Sequence, residues 1–140
     1  MNPSNLERFL KAQETSYDAA LEEIRGGRKR SHWMWFIFPQ VQGLGFSSTA
    51  QMYAINGYEE AEAYLKHPVL GKRLLEISHA LMALQNDDPS SVFGYPDDLK
   101  LKSSMTLFAS VEPENPLFQQ VLDKFYHGTK DAKTLQLLGN

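Results

Sequence analysis

Two stretches of this chain carry residue types that binding or catalysis needs. The first runs from Gly26 to Gln40, GGRKRSHWMWFIFPQ, where Arg28, Lys29 and Arg30 lead through His32 into Trp33 and Trp35. Guanidinium groups hold phosphate or carboxylate through parallel hydrogen bonds, and an indole face holds a flat ring. Read this way, Arg28, Arg30 and His32 grip an anion while Trp33 or Trp35 stacks. The competing reading is a solvated basic loop leading into a core segment, since cations beyond a helix C-terminus also answer the helix dipole. The second stretch runs from Asp97 to Phe108, DDLKLKSSMTLF. On a helix Lys100 shares a face with Ser104, and Lys102 with Thr106. Together with Ser103 they would place amines and hydroxyls near a helix start, a setting that suits an anion. The competing reading makes the serines small packing residues and the lysines surface charges.

Other chemistries lack their signatures. His32, His67, His79 and His127 show neither an HxxxH pair nor another metal-ligand spacing. There is no GxSxG nucleophile elbow and no P-loop glycine pattern. The chain has no cysteine, which removes disulfides, thiol nucleophiles and thiolate metal sites. Asp87-Asp88 and Asp97-Asp98 are acid pairs in turns, where helix capping is sufficient reason for them. No metal and no cofactor is expected.

The elements that must position these residues read as mostly helical. The length of 140 residues, with 42% hydrophobic and 22% charged residues, fits one folded domain over residues 1–140. Helical stripes are predicted at Leu6, Phe9 and Leu10, then at Tyr17, Ala20, Leu21 and Ile24 after a capping signal at Thr15-Ser16-Tyr17-Asp18,. Gly26-Gly27 ends the second helix. Trp33 to Pro39 is too continuously apolar for a surface element and reads equally as a short helix or strand inside the core. Ser47 to Tyr53 is a short capped helix, and Asn56-Gly57 turns into another with Ala61, Tyr64 and Leu65 inward. His67-Pro68 closes that one, with Pro68 suited to the first position of the next. The clearest stripe follows: Leu70, Leu74, Ile77, Leu81 and Leu84, with Lys72, Glu76 and His79 outward. One helical turn is expected over residues 90–93, ending at Gly94. Leu117, Phe118, Val121, Leu122 and Phe125 mark a late helix, and Asp131 caps a last one. Residues 99–111 alternate like a strand, yet Leu101, Met105, Phe108 and Ala109 also fit a helix. A strand of that length exceeds the usual ~5–6 residues and lacks partners, so helix is expected.

With these elements in place the chain resembles a known family. Arg28 to Gln40, His67-Pro68-Val69-Leu70-Gly71 and Asp97 to Phe108 closely resemble, in that order, the family called domain of unknown function 1810. The resemblance spans about Leu6 to Leu138. It implies a compact, mostly helical, bacterial-type domain with no assigned activity. Its members are often called calpastatin-like, but that inhibitor is a disordered repeat protein and this chain has the composition of a folded core. A fainter similarity links His67-Pro68-Val69-Leu70, Leu74-Leu75 and Phe93-Gly94 to the NADAR group, helical proteins associated with NAD and ADP-ribose. It implies a ligand class and assigns no catalytic residue.

The expected fold is thus all-α, a compact single-domain orthogonal bundle of many helices. The expected function is binding, with or without hydrolysis, of a small phosphorylated ligand such as a nucleotide or ADP-ribose derivative. The alternative is a non-enzymatic interaction or regulatory module, for example a homo-oligomer. A net charge of -3 gives no broad field for nucleic acid. No apolar run approaches the ~20 residues that span a bilayer, and no leader peptide is visible at the N-terminus. The expected partner is therefore a small anionic ligand, without membrane or nucleic acid, in the cytoplasm.

Overall fold

The computed structural model describes residues 6–139. It contains α1 (Glu7–Glu14), α2 (Tyr17–Arg25), α3 (Met34–Ile37), α4 (Ser48–Met52), α5 (Gly57–Lys66), α6 (Leu70–Ala83), α7 (Pro89–Phe93), α8 (Asp97–Val111), α9 (Leu117–Tyr126) and α10 (Ala132–Leu137). No strand forms among the described residues. A single parallel bridge joins Val41 to Ile55, closed by Gln42 N–H to the Ile55 carbonyl and Ile55 N–H to the Gln40 carbonyl, both 2.8 Å. The protein is a multi-helix bundle around one core.

α8 runs through that core. It packs against α5, α7, α9 and α10, and Leu101, Val111 and every residue from Ser103 to Ala109 are buried. Burial on all sides, rather than along one stripe, is why its sequence alternates like a strand while its backbone is helical. α6 buries Leu70, Leu74, Ile77 and Leu81, and α9 buries Leu117, Phe118, Val121, Leu122 and Phe125. The two helices pack together, and Lys124 Nζ of α9 donates to the Leu81, Met82 and Leu84 carbonyls at the end of α6. A helix end leaves its last carbonyls short of intrahelical partners; Leu81 here also accepts from Leu84 N–H at 3.2 Å.

Some local expectations need correction. Ser16 occupies the N-cap of α2 without a side-chain capping bond, because its backbone lies outside the extended region that a capping hydroxyl needs. Regular α6 begins at Leu70, not Pro68. The turn before it is tied down by His67 Nδ1, which accepts from Val69 N–H at 3.1 Å and Leu70 N–H at 3.3 Å. Leu84, expected in the buried stripe, is the half-buried C-cap of that helix. The apolar segment after the basic loop resolves into the single helical turn of α3. Trp33, Met34, Ile37 and Phe38 point into the core, while Trp35 and Phe36 remain half-buried.

Candidate functional site

α3 and the first turns of α8 meet at a cleft of about 210 Å³. Its lining is Trp35 and Gln40 on one side, Pro96, Leu99, Lys100 and Ser103 on the other, and Leu44 and Gly45 from the loop between. The Val41–Ile55 bridge fixes the backbone around Gln40. Gly45 belongs there because a Cβ would stand 2.7 Å from Ala50 Cβ and 3.9 Å from the Trp35 ring. A narrower recess continues past Trp35 toward Tyr53 and Ala54.

Lys100 Nζ lies 3.9 Å from the centroid of a Trp35 ring, a close cation–π contact. The same ammonium meets Asp97 Oδ1 at 3.0 Å, and Lys29 Nζ meets Asp97 Oδ2 at 2.9 Å. Burial by itself would raise the Asp97 carboxyl. The hydrogen bonds and charges of Lys29 and Lys100 outweigh it and hold the group below the ordinary carboxylate range,. Gln40 presents a side-chain amide with no hydrogen-bond partner among the described residues. The Ser103 hydroxyl donates to the Leu99 carbonyl at 3.2 Å and keeps its acceptor capacity.

The two sequence stretches therefore do meet, though not through every residue expected. Trp35, Lys100 and Ser103 line the cleft. Ser104, which shares a helix face with Lys100, lies instead in the interior with no partner for its hydroxyl. Lys102 approaches the Tyr126 ring at 5.9 Å, away from the cleft lining. Trp33 is 1% exposed, packs on Phe38 and Phe93 and meets the Lys29 ammonium, so it is not open to a ligand. Arg28 and Arg30 are exposed and line a separate open depression with Glu22 and Glu23. His32 is exposed on the same loop.

Glu23 explains the shape of that loop. Its carboxylate accepts from Arg30 N–H (2.6 Å), Ser31 N–H (2.9 Å), Ser31 Oγ (2.6 Å) and Trp33 Nε1 (2.9 Å). Partial burial would raise its pKa, but the four hydrogen bonds win and bring it to about 2,.

Three residues of the site carry little signal in the sequence. Lys29 stands there only as part of a cationic run. Asp97 has a cap's position, although its spacing of three from Lys100 is a helical ion-pair spacing and is the available signal. Gln40 carried no sequence signal, since only the chain path after α3 brings it to the cleft.

Among the described residues, no group of three His, Cys, Asp or Glu side chains is placed to hold a metal. No helix among the described residues is long and apolar enough to cross a membrane.

Comparison with solved structures finds the crystal structure of the conserved hypothetical protein Rv1873 from Mycobacterium tuberculosis. It is 48% identical, with 99% of each chain covered and a TM-score of 0.96. Comparison with curated proteins gives no match. Residues 3–138 match the model of the family described as Protein of unknown function (DUF1810), the one that the three motifs resemble, and the chain belongs to that family.

Proposed function

We propose that this protein binds a small ligand combining a flat ring with an anionic group, in the cleft between Trp35 and the start of α8. One observation carries the reading: the Lys100 ammonium stands 3.9 Å from a Trp35 ring centroid in a cleft that also holds Gln40. Trp35 offers an aromatic platform, Gln40 an amide for a ring edge, and Lys100 a cation for the anion. Phosphorylated ring compounds, nucleotides and ADP-ribose derivatives among them, supply all three matching parts. An incoming ring takes the indole face that Lys100 covers, and the ammonium turns to the anion. The role proposed is binding rather than hydrolysis. Asp97 is the carboxylate beside Lys100 and is held ionised between two ammoniums, which suits a counter-ion better than a proton donor.

A thermal-shift screen against NAD, ADP-ribose, mono- and dinucleotides and sugar phosphates tests this. Ligand at ~100 times its dissociation constant adds ~2.7 kcal/mol, a rise of several degrees in a domain of this size. The rise is expected to survive in Arg30→Ala and to vanish in Trp35→Ala and Lys100→Ala. A panel with no shift in the wild-type protein overturns the reading.

A second reading has its own observation. Phe46 is 85% exposed, Tyr95 81% and Leu99 51%, and each lines the cleft or adjoins a residue that does. Exposed apolar groups gathered this way also mark protein contact surfaces. A solution mass that rises with concentration, and returns to that of one chain in the double variant Phe46→Ser and Leu99→Ser, supports a homo-oligomeric module instead.

A further inference from the structure

The charge balance of the cleft narrows the ligand class, granted the binding reading above. Lys29, Asp97 and Lys100 have side chains only 8%, 19% and 18% exposed. Charges so placed must be answered by neighbours, because water cannot fully solvate them. Asp97 bridges both ammoniums, so the triad keeps one unmatched positive charge. That charge falls on the cleft side. Lys100 lines the cleft with its ammonium 3.9 Å from a Trp35 ring centroid in the cleft wall, whereas Lys29 faces away from the cleft lining, donating to the Ser31 carbonyl at 2.5 Å and lying 5.1 Å from a Trp33 ring centroid. Asp98, the other acid at this end of α8, accepts from Leu99 N–H at 3.0 Å and answers the positive end of the helix. Among the described residues, Lys100 is the one charged side chain in the cleft lining.

We infer that the cleft selects a flat ring bearing one negative charge, a phosphodiester or a ring carboxylate, over the same ring bearing none or two. A neutral ring leaves the excess ammonium charge unanswered. A dianionic phosphomonoester brings a second negative charge near the Asp97 carboxylate with no cation left to meet it. Lys29 acts here as a positioning residue: by sharing Asp97 it frees Lys100 to face the ligand.

Calorimetric titration of the full chain at about pH 7.5 decides the matter. The probes are a purine and a pyrimidine nucleoside, their 5′-monophosphates (close to two negative charges at this pH), and the methyl esters of those monophosphates, which carry one. For at least one base, the methyl ester is expected to bind about tenfold tighter than the nucleoside and the monophosphate, the scale of one partly screened unit charge. Asp97→Asn leaves two ammoniums unopposed and is expected to reverse the order of ester and monophosphate. Lys29→Met gives Lys100 wholly to Asp97 and is expected to lower the ester to the affinity of the nucleoside. Equal binding of ester and monophosphate by the wild-type chain, or tighter binding of the monophosphate, overturns the charge selection and leaves the ring-and-anion reading standing. Absence of heat from all six probes overturns the charge selection, and the binding reading falls with it when the thermal-shift panel is silent as well. The wild-type comparison suffices even where a variant does not fold.

Discussion

Glu23 gathers four hydrogen bonds at 2.6–2.9 Å and thereby makes the basic loop a scaffold as well as a surface. Its pKa of about 2 lies below the ordinary 4.5, so the folded state binds this proton more weakly than the unfolded chain. The sign follows: the stabilisation is fully present above about pH 4.5, and falls as pH drops toward 2,. Because the group is partly solvated, its worth is discounted to on the order of 1–2 kcal/mol. Glu23→Gln is expected to lower the urea midpoint at neutral pH, with the deficit shrinking by more than half near pH 3. A deficit that is constant with pH would sink the assignment. The sequence displayed the cations and aromatics around Glu23 but not their ranking. Trp33 and Trp35 are two residues apart in one apolar run, and the phase of a four-residue helix decides which is core and which faces the cleft. No periodicity in so short an element reports that phase.

At the scale of elements the sequence was far more legible, because long helices repeat their stripe. α2, α6 and α9 bury nearly the residues that their spacing selects. What remained hidden was where helices approach closely. Gly71, in the first turn of α6, is such a place: a Cβ there would stand 2.0 Å from the Leu65 carbonyl oxygen in the last turn of α5. Alanine in a helix ordinarily gains up to ~1 kcal/mol over glycine. Here the intruding methyl meets backbone, which cannot rotate away, and overpacking of this kind costs ~1–3 kcal/mol. The clash is expected to win, so Gly71→Ala should lower the calorimetric Tm by several degrees, where propensity alone predicts a rise. The motif from His67 to Gly71 is thus explained by geometry. His67 ties down the turn ahead of the helix that Gly71 allows to approach α5. The same reasoning separates it from the cleft motif of α8, where Lys100 has a contact that packing does not require.

Across the whole molecule, a polar thread crosses the apolar interior and ties the cleft to the far helices. Gln13 of α1 is buried, and its Nε2 donates to the Phe36 carbonyl at 2.8 Å and to Tyr64 Oη at 2.9 Å. Its Oε1 accepts from Arg73 Nη1 of α6 at 3.4 Å. Burial pushes the Tyr64 hydroxyl well above its ordinary range, so it stays protonated and the thread holds at any working pH. Phe36 adjoins Trp35, which places the cleft wall in the same hydrogen-bonded unit as α1, α5 and α6. Gln13 was legible only as a polar residue on a helical face, since its partners come from three distant segments. Gln13→Leu keeps the volume but strands a part-buried carbonyl and a buried hydroxyl, a loss of ~2 kcal/mol. If the thread joins α3 to the rest, both tryptophans, which flank or lie in α3, report the same transition as the helices. Urea unfolding followed by tryptophan fluorescence and by far-ultraviolet circular dichroism is then expected to coincide in the wild-type chain. In Gln13→Leu both midpoints should fall, with the fluorescence transition falling first and separating from the other. Coincident transitions in the variant would mean that apolar packing alone secures α3, and that the cleft wall does not depend on the thread.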